Sequence, residues 1–171
     1  MSDTALVSPA YVRTMARYNA EMNRRLYEAA TKIPDAERRA DRGAFWGSIH
    51  GTLNHLLWGD QQWMSRFDGW DKPAVAQKQS PALVEDFDTL AAARVDADAR
   101  INDWAERVDD AWVAGNTTWF SGAAQQELTM PTGILLVHFF NHQTHHRGQA
   151  HALITATGQP TGDTDLFILV R

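Results

Sequence analysis

The sequence predicts an all-α fold, a four-helix bundle with a long crossover before the last long helix. Three observations carry this expectation. Four stretches repeat their apolar residues at alternating steps of three and four, which is one face of a helix. Proline, glycine and capping residues punctuate the gaps between them. Residues 109–131, ahead of the last stretch, lack that period and have Thr117, Thr118, Trp119 and Phe120 following a Gly-Asn pair, so they predict an extended crossover with a small hairpin.

The first helix starts at Ser8-Pro9, with Ser as cap and Pro at the first helical position. Tyr11, Met15, Tyr18, Met22 and Leu26 form its stripe down to about Lys32, and Pro34 blocks continuation. Asn19 and Asn23 lie four apart on it, the ordinary expectation being bonds to each other or to nearby backbone. A polar linker over 34–42 leads to a second helix over 43–67, whose stripe is Phe45, Ile49, Leu53, Leu56, Asp60, Trp63 and Phe67. Asp60 interrupts that stripe. On another column His55 stands between Gly51 and Gly59, which leaves room for a neighbour or a ligand.

Residues 68–79 predict a loop, after which Ser80-Pro81 repeats the cap-plus-proline start. Leu83, Phe87, Leu90, Arg94, Ala97, Ile101, Trp104 and Val108 then predict a third helix of about seven turns. The fourth helix spans 132–157 and carries five of the seven histidines, closing at Gly158 and Pro160. The tail, 163–171, is apolar at Leu166, Phe167, Ile168, Leu169 and Val170, and is expected to pack on the bundle or on a second subunit.

At 171 residues the chain fits a single domain, 1–171, with its own core. No apolar run approaches the roughly 20 residues of a membrane span, and the amino-terminal stretch lacks the pattern of a secretory signal. A cytoplasmic protein without a membrane partner is expected. A formal charge of -5 with scattered Lys and Arg argues against a nucleic-acid partner. Cysteine is absent, which excludes disulfides and a thiolate nucleophile from the protein itself. Any thiol chemistry therefore needs a thiol brought by a substrate.

Leu135, Phe139, His142, His146, Gln149 and Leu153 fall on one stripe of the fourth helix, which predicts that this stripe faces the core. Buried imidazoles need partners, and a divalent metal is one that histidines four apart can share. Taking about 100° per residue, His138 and His146 flank His142 by about 40° on either side, so His138 with His142, or His142 with His146, could chelate. The second pair is preferred because Gln149 extends its column. His151 falls about 180° from His142 and is expected at the surface. On the second helix His50 and His55 diverge by about 140°; the glycine neighbours favour His55, while Asp60 is a candidate fourth ligand, base or acceptor for an imidazole. The chain has no HExxH, no Glu-x-x-His and no glycine-rich phosphate loop.

The runs Asn54-His55-Leu56-Leu57-Trp58-Gly59-Asp60, then Trp63 and Arg66-Phe67, and Asn141-His142-Gln143-Thr144-His145-His146-Arg147-Gly148-Gln149 resemble the DinB family. Tyr18-Asn19 with Asn23, and the closing segment from Thr161 to Leu166, resemble that family too. The resemblance implies a four-helix bundle, often a homodimer, with a divalent cation, usually zinc or nickel, held by His55, His142 and His146. Related branches of the superfamily are transferases and isomerases that use low-molecular-weight thiols such as mycothiol or bacillithiol. The expectation is a metal-dependent enzyme, a thiol S-transferase or a hydrolase, acting on a small-molecule substrate with Asp60, Gln149, Asn19 and Asn23 as positioning groups. The alternative is a non-catalytic metal-binding or stress-response protein with a structural metal.

Overall fold

Four long helices carry the fold, and a computed structural model describes them within residues 6–122 and 124–169. The first, α1 (Pro9–Thr31), is capped as expected: the Ser8 hydroxyl accepts from the Tyr11 amide at 3.2 Å and Pro9 opens the helix. Its buried face is turned from the expected stripe, with Val12, Ala16, Asn19, Met22, Asn23 and Leu26 inside and Tyr11, Met15 and Tyr18 at its margin. The expected linker after it contains a short helix, α2 (Asp35–Arg39). Arg38 reaches back from α2 to the carbonyls of Ala30 and Ile33, satisfying acceptors that the end of α1 leaves open.

Two helix starts differ from expectation. The second long helix, α3 (Ile49–Phe67), begins at Ser48, whose side chain accepts from the Gly51 amide, and not at residue 43. Gly43 and Gly47 sit at φ +71° and +75°, a left-handed geometry that folds 43–48 into a tight turn and leaves Phe45 77% exposed. Ser80-Pro81 does not open the next long helix. It lies in a 3-10 turn, Gln77–Ala82, and α4 (Phe87–Arg107) starts at Asp86, which caps the Thr89 amide at 2.8 Å. From Phe87 onward the expected stripe is the buried one.

The crossover holds a short helix, α5 (Asp110–Ala114), and the expected hairpin, β1 (Asn116–Ser121) paired antiparallel with β2 (Gln126–Pro131). This small sheet is the departure from an all-α fold in a mostly helical chain. The last long helix, α6 (Thr132–Thr155), follows β2 directly. Of the expected stripe Leu135, Phe139 and His146 are buried and His142, Gln149 and Leu153 half-buried, while Leu136, Phe140, Gln143, Arg147, Ala150 and Ile154 form a second buried column beside it. His151 is half-buried rather than at the surface and bonds Thr161 Oγ1 at 2.7 Å. A final turn, α7 (Leu166–Leu169), follows; Leu166 and Phe167 are exposed, and Val170 lies outside the described residues. Among the described residues no helix is long and apolar enough to cross a membrane.

Each of α1 and α3 packs against both α4 and α6. The core they enclose is two apolar clusters, one around Leu26, Ile49, Leu53, Phe87 and Ile154, the other around Val12, Met64, Ile101, Phe139 and Phe140. Along every helix a polar layer separates the clusters: Asn23 on α1, Asp60 on α3, Arg94 and Asp98 on α4, Gln143 and Arg147 on α6. Arg94 meets Asp60 at 2.5 Å and Asp98 at 2.8 Å, Asn23 donates to Asp98 at 3.0 Å, and Gln143 donates to Asp60. Arg94→Met keeps much of the volume but leaves two buried carboxylates without their cation, and is expected to cost about 3–5 kcal/mol in urea unfolding. Adding Asp60→Asn and Asp98→Asn should recover part of that loss.

Candidate metal centre

His55 occupies the middle of α3, where two glycines make room for it. A Cβ on Gly59 would stand 2.8 Å from Cε1 of His142, and one on Gly51 would stand 2.4 Å from the Trp46 carbonyl oxygen. Gly59 thus admits the α6 histidine, and Gly51 admits the turn ahead of α3. That turn lays Trp46 flat on the His55 ring, with centroids 3.9 Å apart and planes at 23°, and the Trp58 ring lies nearly parallel to it with its centroid 5.8 Å away. His55 is 1% exposed.

Three imidazoles converge here. The centroid of His55 lies 5.2 Å from that of His142 and 4.5 Å from that of His146, and His142 and His146 are 4.5 Å apart. One ligand nitrogen from each ring lies within 4.8 Å of the others, a group that could hold a metal ion. Nε2 of His55 and Nε2 of His142 face each other at 3.3 Å. Imidazole nitrogens about 2.0–2.1 Å from a common cation stand roughly 3–3.5 Å apart, so this pair fits one.

The outer nitrogens are held in a way that suits ligation. His55 Nδ1 lies 2.8 Å from Ser80 Oγ, a fully buried hydroxyl, and His146 Nδ1 lies 2.7 Å from Gln149 Oε1. With the proton on Nδ1 and donated to oxygen, each ring keeps the Nε2 lone pair for a cation. His142 has no such anchor, and its Nδ1 is buried without a partner. Burial, then the neighbouring imidazoles, pushes His55 down to about 3 and His142 to about 4; His146 is lowered mainly by burial. All three are neutral at pH 7, the form that binds metal.

The other candidates go elsewhere. His138 is exposed beside Trp63 at 4.9 Å, with its centroid 6.0 Å from His142, and stays outside the group. His50 bonds the Val84 carbonyl. Asp60 is buried in the polar layer with its oxygens on Arg94 and Gln143, and burial raises it to about 6 against the pull of Arg94. Asn23 joins that layer through Asp98, and Asn19, 3% exposed, lies one turn before it. Gln149 is the positioning candidate found against a converging ring. The sequence does not point to Ser80 or Trp46, because a serine before proline signals a helix cap and the expected helix over 43–67 includes Trp46, which lies instead in the turn ahead of α3.

The sequence model of the DinB family matches residues 1–169. Comparison with curated proteins gives no match.

Ser80→Ala frees the His55 ring and is expected to weaken metal binding about 10–100-fold in chelator competition, with the helical circular dichroism unchanged. The pH dependence follows from the shifts. His55 and His142 bind protons less readily folded than unfolded, so their contribution to stability is complete above about pH 6.5 and is lost as pH falls towards 4 and 3. His50, His138 and His146 shift the same way, while Asp60 and Asp98 are raised and partly offset them. The metal-free protein should therefore lose stability between pH 6.5 and pH 4, measured by denaturant titration across that range.

Proposed function

The chain belongs to the DinB family, and from that premise we propose that it is a metal-dependent enzyme of the four-helix-bundle type. Its centre is His55, His142 and His146, holding zinc or nickel and acting on a small-molecule substrate. The observation that carries this reading is the convergence of three neutral imidazoles, two of them fixed through their outer nitrogens by Ser80 and Gln149. Three protein ligands are the count of a catalytic site, since structural zinc sites close with four. A bound divalent cation supplies Lewis acidity there, lowering the pKa of a coordinated water or thiol.

The protein's own residues do the positioning. Trp46 stacks on His55 with Trp58 beside it, in surroundings that leave the ring 1% exposed. His142 and Gln149 are half-buried, so the approach for a substrate lies on their side. Gln149 keeps an amide that also reaches His145 Nε2 at 3.3 Å, and we assign it the role of orienting His146 and meeting the substrate. Asp60 and Asn23 act through the polar layer, holding α3 and α1 at the height the histidines need, and Asn19 is buried one turn away from it. With no cysteine in the chain, a thiol nucleophile would come from a low-molecular-weight co-substrate, and S-transfer to an electrophile is the favoured reaction, ahead of hydrolysis. A cytoplasmic homodimer using the exposed Leu166 and Phe167 completes the proposal.

A structural metal is the second reading, favoured by the near-complete burial of His55 against Trp46. Chelation separates the two: it should unfold a protein whose metal is structural and only inactivate one whose metal is catalytic. Elemental analysis of the purified protein should give about one divalent ion per chain, and His142→Ala should lose it. Assays of thiols with electrophiles, against esters and amides, should yield metal-dependent turnover. Metal-free protein with His142→Ala indistinguishable from it would end the proposal.

A further inference from the structure

Among the described residues, the polar layer contains a cation that no carboxylate contacts directly. Arg147 is 5% exposed; its Nη2 donates to Thr144 Oγ1 at 3.3 Å and its Nη1 has no partner. Among the described residues no carboxylate lies within ion-pair distance of it, whereas Arg94 has two. Its guanidinium carbon stands 5.4 Å over the Tyr18 ring. A buried guanidinium with an unused donor is costly unless something anionic completes it.

Arg147 lines a cavity of about 190 Å³ between α1, α6 and the segment that follows α6. Arg25 and His151 are also in its wall, and the remaining wall is largely the apolar surface of Tyr18, Met22 and Leu26. Hydrogen bonds hold the wall in place. Tyr18 donates its hydroxyl proton to the Thr164 carbonyl at 2.7 Å, Arg25 donates to the Asp163 carbonyl at 3.0 Å, and Thr161 bonds His151 at 2.7 Å. Gly162, at φ +76°, turns the segment over Arg25, whose Nη1 would lie 3.2 Å from an added Cβ. Glu21 is the acid paired with Arg25, at 2.7 Å, and Asp60 and Asp98 act on Arg147 through space without a hydrogen bond to it.

We propose that this cavity is a second binding site, for a small organic carboxylate whose apolar body lies against Tyr18, Met22 and Leu26 and whose charge meets Arg147. The site is separate from the metal centre: none of the three histidines lines it, and at about 100° per residue Arg147 and His151 point about 140° and 180° away from His142 around α6. Size agrees with the class, since a cavity of about 150 Å³ accepts benzene. An inorganic anion would satisfy Arg147 but strand its charge against the apolar wall. An uncharged body of the same size would leave Nη1 as it is.

The test is titration of the full-length, metal-loaded protein with sodium benzoate, followed by the amide resonances of Tyr18, Thr161 and Gly162, with benzyl alcohol and inorganic phosphate in parallel. Benzoate should saturate at millimolar concentration, and both comparators should bind at least about tenfold more weakly, as loss of a charge-assisted bond or of the apolar contact predicts. Arg147→Gln should weaken benzoate by about tenfold or more. Should that variant fold poorly, Gly148→Leu decides: Gly148 lines the cavity, an added Cβ there meets nothing within 4 Å, and the larger side chain fills the space without disturbing the helix. It should abolish the titration. The proposal is overturned by no saturable binding, by phosphate binding as tightly as benzoate, by shifts confined to the residues around His55, His142 and His146, or by unchanged binding in Gly148→Leu.

Discussion

Asp60 and Arg94 form the contact that sets the heights of the helices. A buried ion pair rarely adds net stability over apolar packing, but breaking it is expensive, so it selects one alignment over its neighbours. Here the selection reaches all four long helices, because Asn23 and Gln143 bond the same two carboxylates that Arg94 serves. Sliding any helix by one turn would pull a charged or amide group into one of the two apolar clusters. His55 lies five residues before Asp60 on α3, and Gln143 sits between His142 and His146 on α6. The alignment that pairs Gln143 with Asp60 is therefore the one that brings the histidines to a common height.

Around that height the centre depends on small residues and on oxygen acceptors rather than on charge. Gly59 allows two helix surfaces to approach until nitrogens meet at 3.3 Å. Ser80 and Gln149 then accept from the outer nitrogens, and burial keeps the rings neutral. The buried carboxylate of Asp60 is engaged elsewhere, in the polar layer. An acid beside the rings would have favoured imidazolium and worked against the ligand state.

The helical layout was legible in the sequence because apolar period, caps and breakers agree over most of its length. Starts were the weak point. Ser80-Pro81 satisfies every local criterion for a helix start, yet the hydroxyl is engaged with a histidine 25 residues earlier, a tertiary bond that no local pattern encodes. The turn over 43–48 likewise depends on two glycines in left-handed geometry. On α6 the stripe is too narrow: Leu135, Phe139 and His146 are inside as expected, but so are Gln143 and Arg147, polar by type, while His142 and Gln149 lie at the core margin. The histidine pair survived that error because neighbouring rings stay near each other on the helix however the face is drawn. Asp60 and Arg94 each interrupt an otherwise apolar stripe, so taken together they were a readable sign of a buried pair.

The two halves of the centre are far apart along the chain: His55 and His142 are separated by 87 residues. Loop-closure entropy must be met before such a contact forms, and it forms late. During synthesis on the ribosome, α1, α3 and α4 emerge before α6, carrying one of the three imidazoles. No cation can be gripped by all three until residue 146 has cleared the exit tunnel. The centre is thus a mark of a finished molecule, absent from any nascent or carboxy-terminally truncated chain that stops short of α6.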